Sequence, residues 1–136
     1  MSYLLDANVL LALGYTKHQA HQRVGAWVAA LRIAGDASFS TCAITELAFV
    51  RVGAAAGYFV DVAMARKALA ALKASKLATF TVLPDALGAD ALPAWANTPG
   101  RTTDGHLLAL AKQHKVELVT LDTGIPGAFL IPAGIV

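Results

Sequence analysis

Four carboxylates stand where an apolar core should be. In "YLLDANVLLAL", Asp6 is the only charged side chain between Met1 and Thr16. Glu46 is the sole charge between Asp36 and Arg51, inside "SFSTCAITELAFV", while Asp104 follows "RTT" and Asp122 closes "ELVTLD". Acids a few ångströms apart raise one another's pKa and oppose folding, so a cluster of them persists either by holding protons or by binding a cation. Oxygen ligands with no Cys or His among them suit Mg2+ or Mn2+ rather than zinc. The chemistry on offer is metal-assisted, provided that the fold brings the four together.

Each acid also has an ordinary reading. Asp6 can cap a helix that begins near Asn8, Asp104 can be an N-cap or first-turn acid, and Asp122 before Thr123 and Gly124 can be a turn residue. Glu46 has no such job in view: Ala43, three residues before it, cannot form a capping box, and its neighbours are Ile44, Leu47 and Phe49. The other acids read as solvated. Asp36, Asp61, Asp85 and Asp90 fall at turns or helix starts, and Glu117 adjoins Lys115 at the start of a strand.

The elements that must position these acids follow from the hydrophobic pattern. Short apolar runs at 2–5, 37–42, 79–83, 117–121 and 128–131 read as strands, with "VLLAL" beginning a short helix after the first. Between them, 18–35 carries Val24, Trp27, Val28 and Leu31 at helical spacing and stops at Gly35. Segment 44–57 is helical and ends at Gly57; 61–76 opens on Asp61 as N-cap and closes on cations; 104–115 is a further helix. The stretch with Pro93, Pro99 and Gly100 is loop. Strands separated by helices predict a three-layer α/β/α sandwich with a mostly parallel, about five-stranded sheet. In such a sheet, strand ends and the starts of the following helices share one edge, where ligands bind. Asp6 and Asp122 end strands one and four, Glu46 lies about a helical turn past strand two, and Asp104 opens the helix into strand four.

Composition narrows the class. The 136 residues suit a single domain, and 57% hydrophobic against 15% charged residues excludes disorder. Mean hydropathy is +0.57, yet the C-terminal apolar run is broken by Asp122, Pro126 and Pro132, and no other stretch reads as a spanning helix. No Lys or Arg precedes the first apolar run, which contains Asp6, so a signal peptide is not expected; the expected location is cytoplasmic, with no membrane partner. The lone Cys42 excludes an internal disulfide and reads as a small buried hydrophobe. A net charge of +2 permits nucleic acid as a partner without arguing for it, because the cations are dispersed.

"YLLDANVLLAL", "ITELAFVRV" and "RTTDGHLLALAKQHKVELVTLD" resemble, in order and spacing, the acidic motifs of PIN-domain nucleases, and more narrowly those of VapC-type ribonuclease toxins of toxin–antitoxin pairs. The resemblance spans nearly the whole chain, 1–136, as one PIN-like nuclease domain. It implies that Asp6, Glu46, Asp104 and Asp122 bind Mg2+ or Mn2+ and catalyse hydrolysis of RNA phosphodiester bonds, leaving a 5′-phosphate and a 3′-hydroxyl. It further implies supporting roles for Asn8 and Thr103, which without it read as helix-start residues. A homodimer and a small antitoxin, whose helix lies in a hydrophobic groove, are the implied protein partners. Trp27, Phe49, Tyr58, Phe59 and Trp95 are candidates for such surfaces, against core packing.

Among the remaining polar residues, Arg101 in "PGRTTD" is placed to meet a phosphate, against a solvated loop role. Arg51 either neutralises the acids or lies on a helix face. His18 and His21 are expected to share a helix face turned to solvent rather than to bind metal, and His106 to be a partly buried helix residue. Two other readings compete. A phosphoacceptor signalling domain would need an acidic neighbour for Asp6 and a Lys after the fourth strand, and neither is present. A catalytically silent PIN-like protein-binding module is the other, disfavoured by the intact quartet.

Overall fold

The computed structural model describes residues 2–134. Strands β1 (Tyr3–Leu5), β2 (Ser38–Thr41), β3 (Thr79–Val82), β4 (Glu117–Thr120) and β5 (Phe129–Leu130) form one sheet in the order β3-β2-β1-β4-β5. Every pairing is parallel, with Leu4 opposite both Ser40 and Leu118. The helices are α1 (Ala7–Gly14), α2 (His21–Ala34), α3 (Ala43–Ala55), α4 (Val62–Ala74) and α5 (Thr102–Gln113). The chain runs outward from β1 to β3, then returns through α5 to β4 on the other side of β1. The order therefore reverses at β1, and the carboxyl end of that strand is the place for a ligand crevice.

Side chains alternate across a strand, and the two faces have separate cores. Leu5, Phe39 and Val119 join Leu10 of α1, Val24 and Val28 of α2, Phe49 of α3 and Leu69 of α4. Leu4 and Leu118 join Leu107, Leu108 and Leu110 of α5, with Cys42 buried among them. This is the expected three-layer sandwich. Fully burying each such Leu or Phe contributes about 1.5–3 kcal/mol relative to exposure, so the central strands are the rigid platform on which the sheet edge is built.

The ends of the helices follow local chemistry. Asp61 caps α4 by accepting from the Met64 amide at 2.9 Å, and Gly35 ends α2 with φ +80°, both as the sequence predicts. The start of α2 differs: it begins at His21, so His18 lies in the preceding turn, where its Nδ1 accepts from the Ala20 amide. His21 instead meets the Ala12 carbonyl of α1, and the two rings do not share a helix face. Helix α5 begins at Thr102, led in by a 3-10 turn at Pro99–Arg101. Gly105 allows a close approach: a Cβ there would lie 2.5 Å from Ala96 Cβ, so the loop through Pro93 and Ala96 rests directly on α5 beside Asp104. No helix among the described residues is long and apolar enough to cross a membrane.

Candidate metal centre

Asp6 directly follows β1 and is the N-cap of α1 in extended backbone conformation. Its amide continues the sheet by donating to the Val119 carbonyl, and its own carbonyl accepts from Val9 and Leu10. The side chain is only 8% exposed. Its Oδ1 accepts from the Ala7 amide at 2.7 Å and its Oδ2 from the Thr120 hydroxyl at 2.8 Å. Burial pushes the carboxyl above its ordinary value, the two hydrogen bonds oppose that rise, and the Asp122 charge adds to it. The capping role is real, yet it leaves a buried acid whose ionised form has no ion-pair partner among the described residues.

Asp104 shares this strain. Asp104, in the first turn of α5, is raised first by burial and then by the charges of Asp6 and Asp122, with Arg101 lowering it; no hydrogen bond relieves its carboxylate among the described residues. Asp122 is exposed, and its Oδ1 accepts from the Gly124 amide at 2.9 Å in a local turn. Its own amide donates to the Thr120 hydroxyl at 3.0 Å. One buried hydroxyl thus joins two acids, donating to Asp6 and accepting from the backbone of Asp122.

Glu46 is placed differently. Standing in the first turn of α3, it accepts from the Thr41 hydroxyl at 2.5 Å and from Lys73 Nζ of α4 at 2.8 Å, both on Oε2. The expectation that Glu46 has no structural partner is corrected: it joins the end of β2 to the last turn of α4. The capping box of α3 is formed by Cys42 and Thr45. Among the described residues, no three Asp, Glu, His or Cys side chains stand close enough together to hold one ion. Asp6 feels the charge of Asp122, Asp104 feels the charges of Asp6 and Asp122, and Glu46 is held by a cation of its own.

A family model described as the PIN domain matches residues 3–128. The chain belongs to the PIN-domain family. Three relatives from Mycobacterium tuberculosis are similar over most of this PIN domain. Ribonuclease VapC38 is 36% identical over 125 residues, covering 90% of this chain and 86% of the relative. Ribonuclease VapC29 is 35% identical over 127 residues, covering 92% and 89%. Ribonuclease VapC44 is 36% identical over 137 residues, covering 94% of each.

The remaining sequence candidates occupy defined places in the PIN domain. Asn8 Oδ1 accepts from the Leu121 amide at 3.3 Å, holding the backbone between Thr120 and Asp122. Thr103 is exposed in the first turn of α5, beside Asp104. Arg101 is not a free loop residue: its guanidinium donates to the carbonyls of Trp95 and Gly124, both at 3.1 Å, and lies 4.9 Å above the Trp95 ring. It straps the loops on either side of the acids. Arg51 is exposed on α3, and no ion pair involves it among the described residues.

Asp85 departs from its expected solvated turn. Its Oδ2 lies 2.5 Å from His106 Nε2 and its Oδ1 accepts from the Leu87 amide. Burial opposes its ionisation, but the bonds from His106 and Leu87 outweigh that and hold the carboxyl below its ordinary value. The aromatic candidates are packing residues: Phe49 is buried, Trp27 stacks on Phe39, Tyr58 stacks on Tyr15, and Phe59 and Trp95 pack against the two cores. Leu47, Val52, Val60, Val62 and Met64 of the α3–α4 region are the large exposed apolar residues there instead.

Thr41, Thr120 and Lys73 are the residues that the sequence reading missed. A signal existed for the threonines, since each is the last residue of a strand that delivers an acid. Lys73 gave none, standing 27 residues from Glu46.

Proposed function

We propose that this PIN domain is a divalent-metal-dependent endoribonuclease toxin, with Asp6, Glu46, Asp104 and Asp122 as its catalytic and metal-binding acids. The observation that carries the reading is electrostatic. Asp6, Asp104 and Asp122 stand about the reversal point of a parallel sheet without yet gathering around one point, and Asp6 and Asp104 have pKa values raised by burial and by the charge of acidic neighbours. Such a site gains stability from a cation, and its oxygen-only donors suit Mg2+ or Mn2+.

When bound, the ion would neutralise charge on the scissile phosphate and acidify an attacking water. The chain's own residues do the rest. Thr120 and the Ala7 amide hold Asp6 on both oxygens, and the Gly124 amide holds Asp122 on one, so both carboxylates are oriented as residues that would hold the ion. Asp104, without a hydrogen bond among the described residues and with raised proton affinity, accepts the proton of the water. Asn8 fixes the approach to Asp122, Thr103 orients water beside Asp104, and Arg101 supplies positive charge toward the phosphate.

The reading includes a homodimer, a cytoplasmic setting and a cognate antitoxin. Between α3 and α4 lies a groove of about 640 Å3 lined by Leu47, Val50, Val62 and Leu69, with Arg66 and Lys73 among its cations. Its apolar floor and basic rim suit an amphipathic acidic helix, and Glu46 at its margin would link that helix to the site. The test is cleavage of RNA by the purified protein with Mg2+ and with chelator. Cleavage that survives chelator would end the metal reading. A silent PIN-like module is the second reading, favoured by the lack of three acids already gathered around one point; absence of Mn2+ binding would select it.

A further inference from the structure

Lys73 and Thr41 converge on the same oxygen of Glu46, and among the described residues Oε1 has no protein partner. The Lys73 ammonium has three donors, of which one is spent on Glu46. The pair is partly shielded, with side chains 28% and 24% exposed, and Lys73 stands in the last turn of α4, where the helix dipole favours a cation. Asp104 responds to Asp6 and Asp122, and Glu46 is not among the charges acting on it. Of the four acids, Glu46 alone is ion-paired by a side chain among the described residues.

We propose that Lys73 is an internal counter-cation that occupies Glu46 in the ion-free protein and competes with the divalent ion for it, so that Lys73 sets the ion affinity of the site. The inference rests on the reading of Glu46 as a metal ligand. It assigns Lys73 a positioning role, acting through Glu46 rather than on substrate. The ammonium keeps the ion-free protein folded around an acid that would otherwise be uncompensated, and it gives up that acid as the ion enters.

Mn2+ binding to the intact chain tests this by calorimetric titration without RNA. Lys73→Met keeps the aliphatic stem and should tighten Mn2+ by about tenfold, while Lys73→Arg should bind like the wild type. Lys73→Met should also melt lower without metal, with saturating Mn2+ closing the gap. In a Glu46→Gln background, adding Lys73→Met should change the affinity by less than about twofold, because the coupling runs through Glu46. Lys73→Gln carries the same comparison should Lys73→Met fail to fold. Unchanged or weaker Mn2+ binding in the Lys73 variants overturns the proposal, and so does an equal tightening in the Glu46→Gln background. A wild type that binds no Mn2+ overturns the metal reading along with it, and is thereby told apart from a failure of Lys73 alone.

Discussion

The two sides of β1 treat acids in opposite ways. Toward β4, Asp6 and Asp122 have hydrogen bonds and Asp104 has none, and none of the three has an ion pair among the described residues. Toward β2, Glu46 has both a hydroxyl and an ammonium on one oxygen. Strand-end threonines do the same work on each side, so the cation makes the difference. A carboxylate given a protein cation is stable as it stands; carboxylates denied one store an electrostatic cost that an added ion relieves.

The largest expected effect falls on the side without a cation. Asp6→Asn should lower Mg2+-dependent RNA cleavage on the order of 10²-fold or more while circular dichroism stays native. Equal cleavage by the variant would remove Asp6 from the chemistry and dissolve the contrast. Next comes Thr120→Val, which takes a buried hydroxyl from both Asp6 and the Asp122 backbone. It should cost about 1–3 kcal/mol in denaturant unfolding, together with about 10-fold to 100-fold in activity.

The pH dependence sharpens the contrast further. Asp6 and Asp104 have folded pKa values raised above the ordinary 3.8, so they bind protons more tightly folded than unfolded. Their contribution to stability is present below that ordinary value and is lost as pH rises through the raised values. Ion-free protein should therefore lose stability over that interval in thermal melts, Asp6→Asn should flatten the loss, and Mn2+ should reduce it. A flat ion-free profile would show that the acids carry no such cost. The smallest effect belongs to Thr41→Val, expected at about 1 kcal/mol or less in unfolding, because Lys73 still holds Oε2 of Glu46. A loss as large as that of Thr120→Val would mean that the cation contributes little.

Much of the fold was legible because each element declares itself locally. Val24, Val28 and Leu31 recur at helical spacing, Asp61 caps, and Gly35 stops a helix. The layers then follow from alternation of strands and helices. What stayed hidden joins residues far apart in sequence. The return of β4 to the other side of β1 has no local signature, and neither does the pairing of Asp85 with His106 or of Glu46 with Lys73. The acids themselves stood out because charge is scarce around Asp6 and Glu46. Their partners did not, since a threonine ending a strand and a lysine ending a helix each have a sufficient local reason to be there.

Gly105 bears on how this edge can change. With the Ala96 and Pro93 side chains pressed against its bare Cα, the covering loop and the first turn of α5 have no slack between them, and Arg101 fastens both to the Gly124 turn. Even a single methyl at that position would wedge the loop outward and carry Asp104 along with it. The spacing of the acids is thus governed partly by a residue that has no side chain at all.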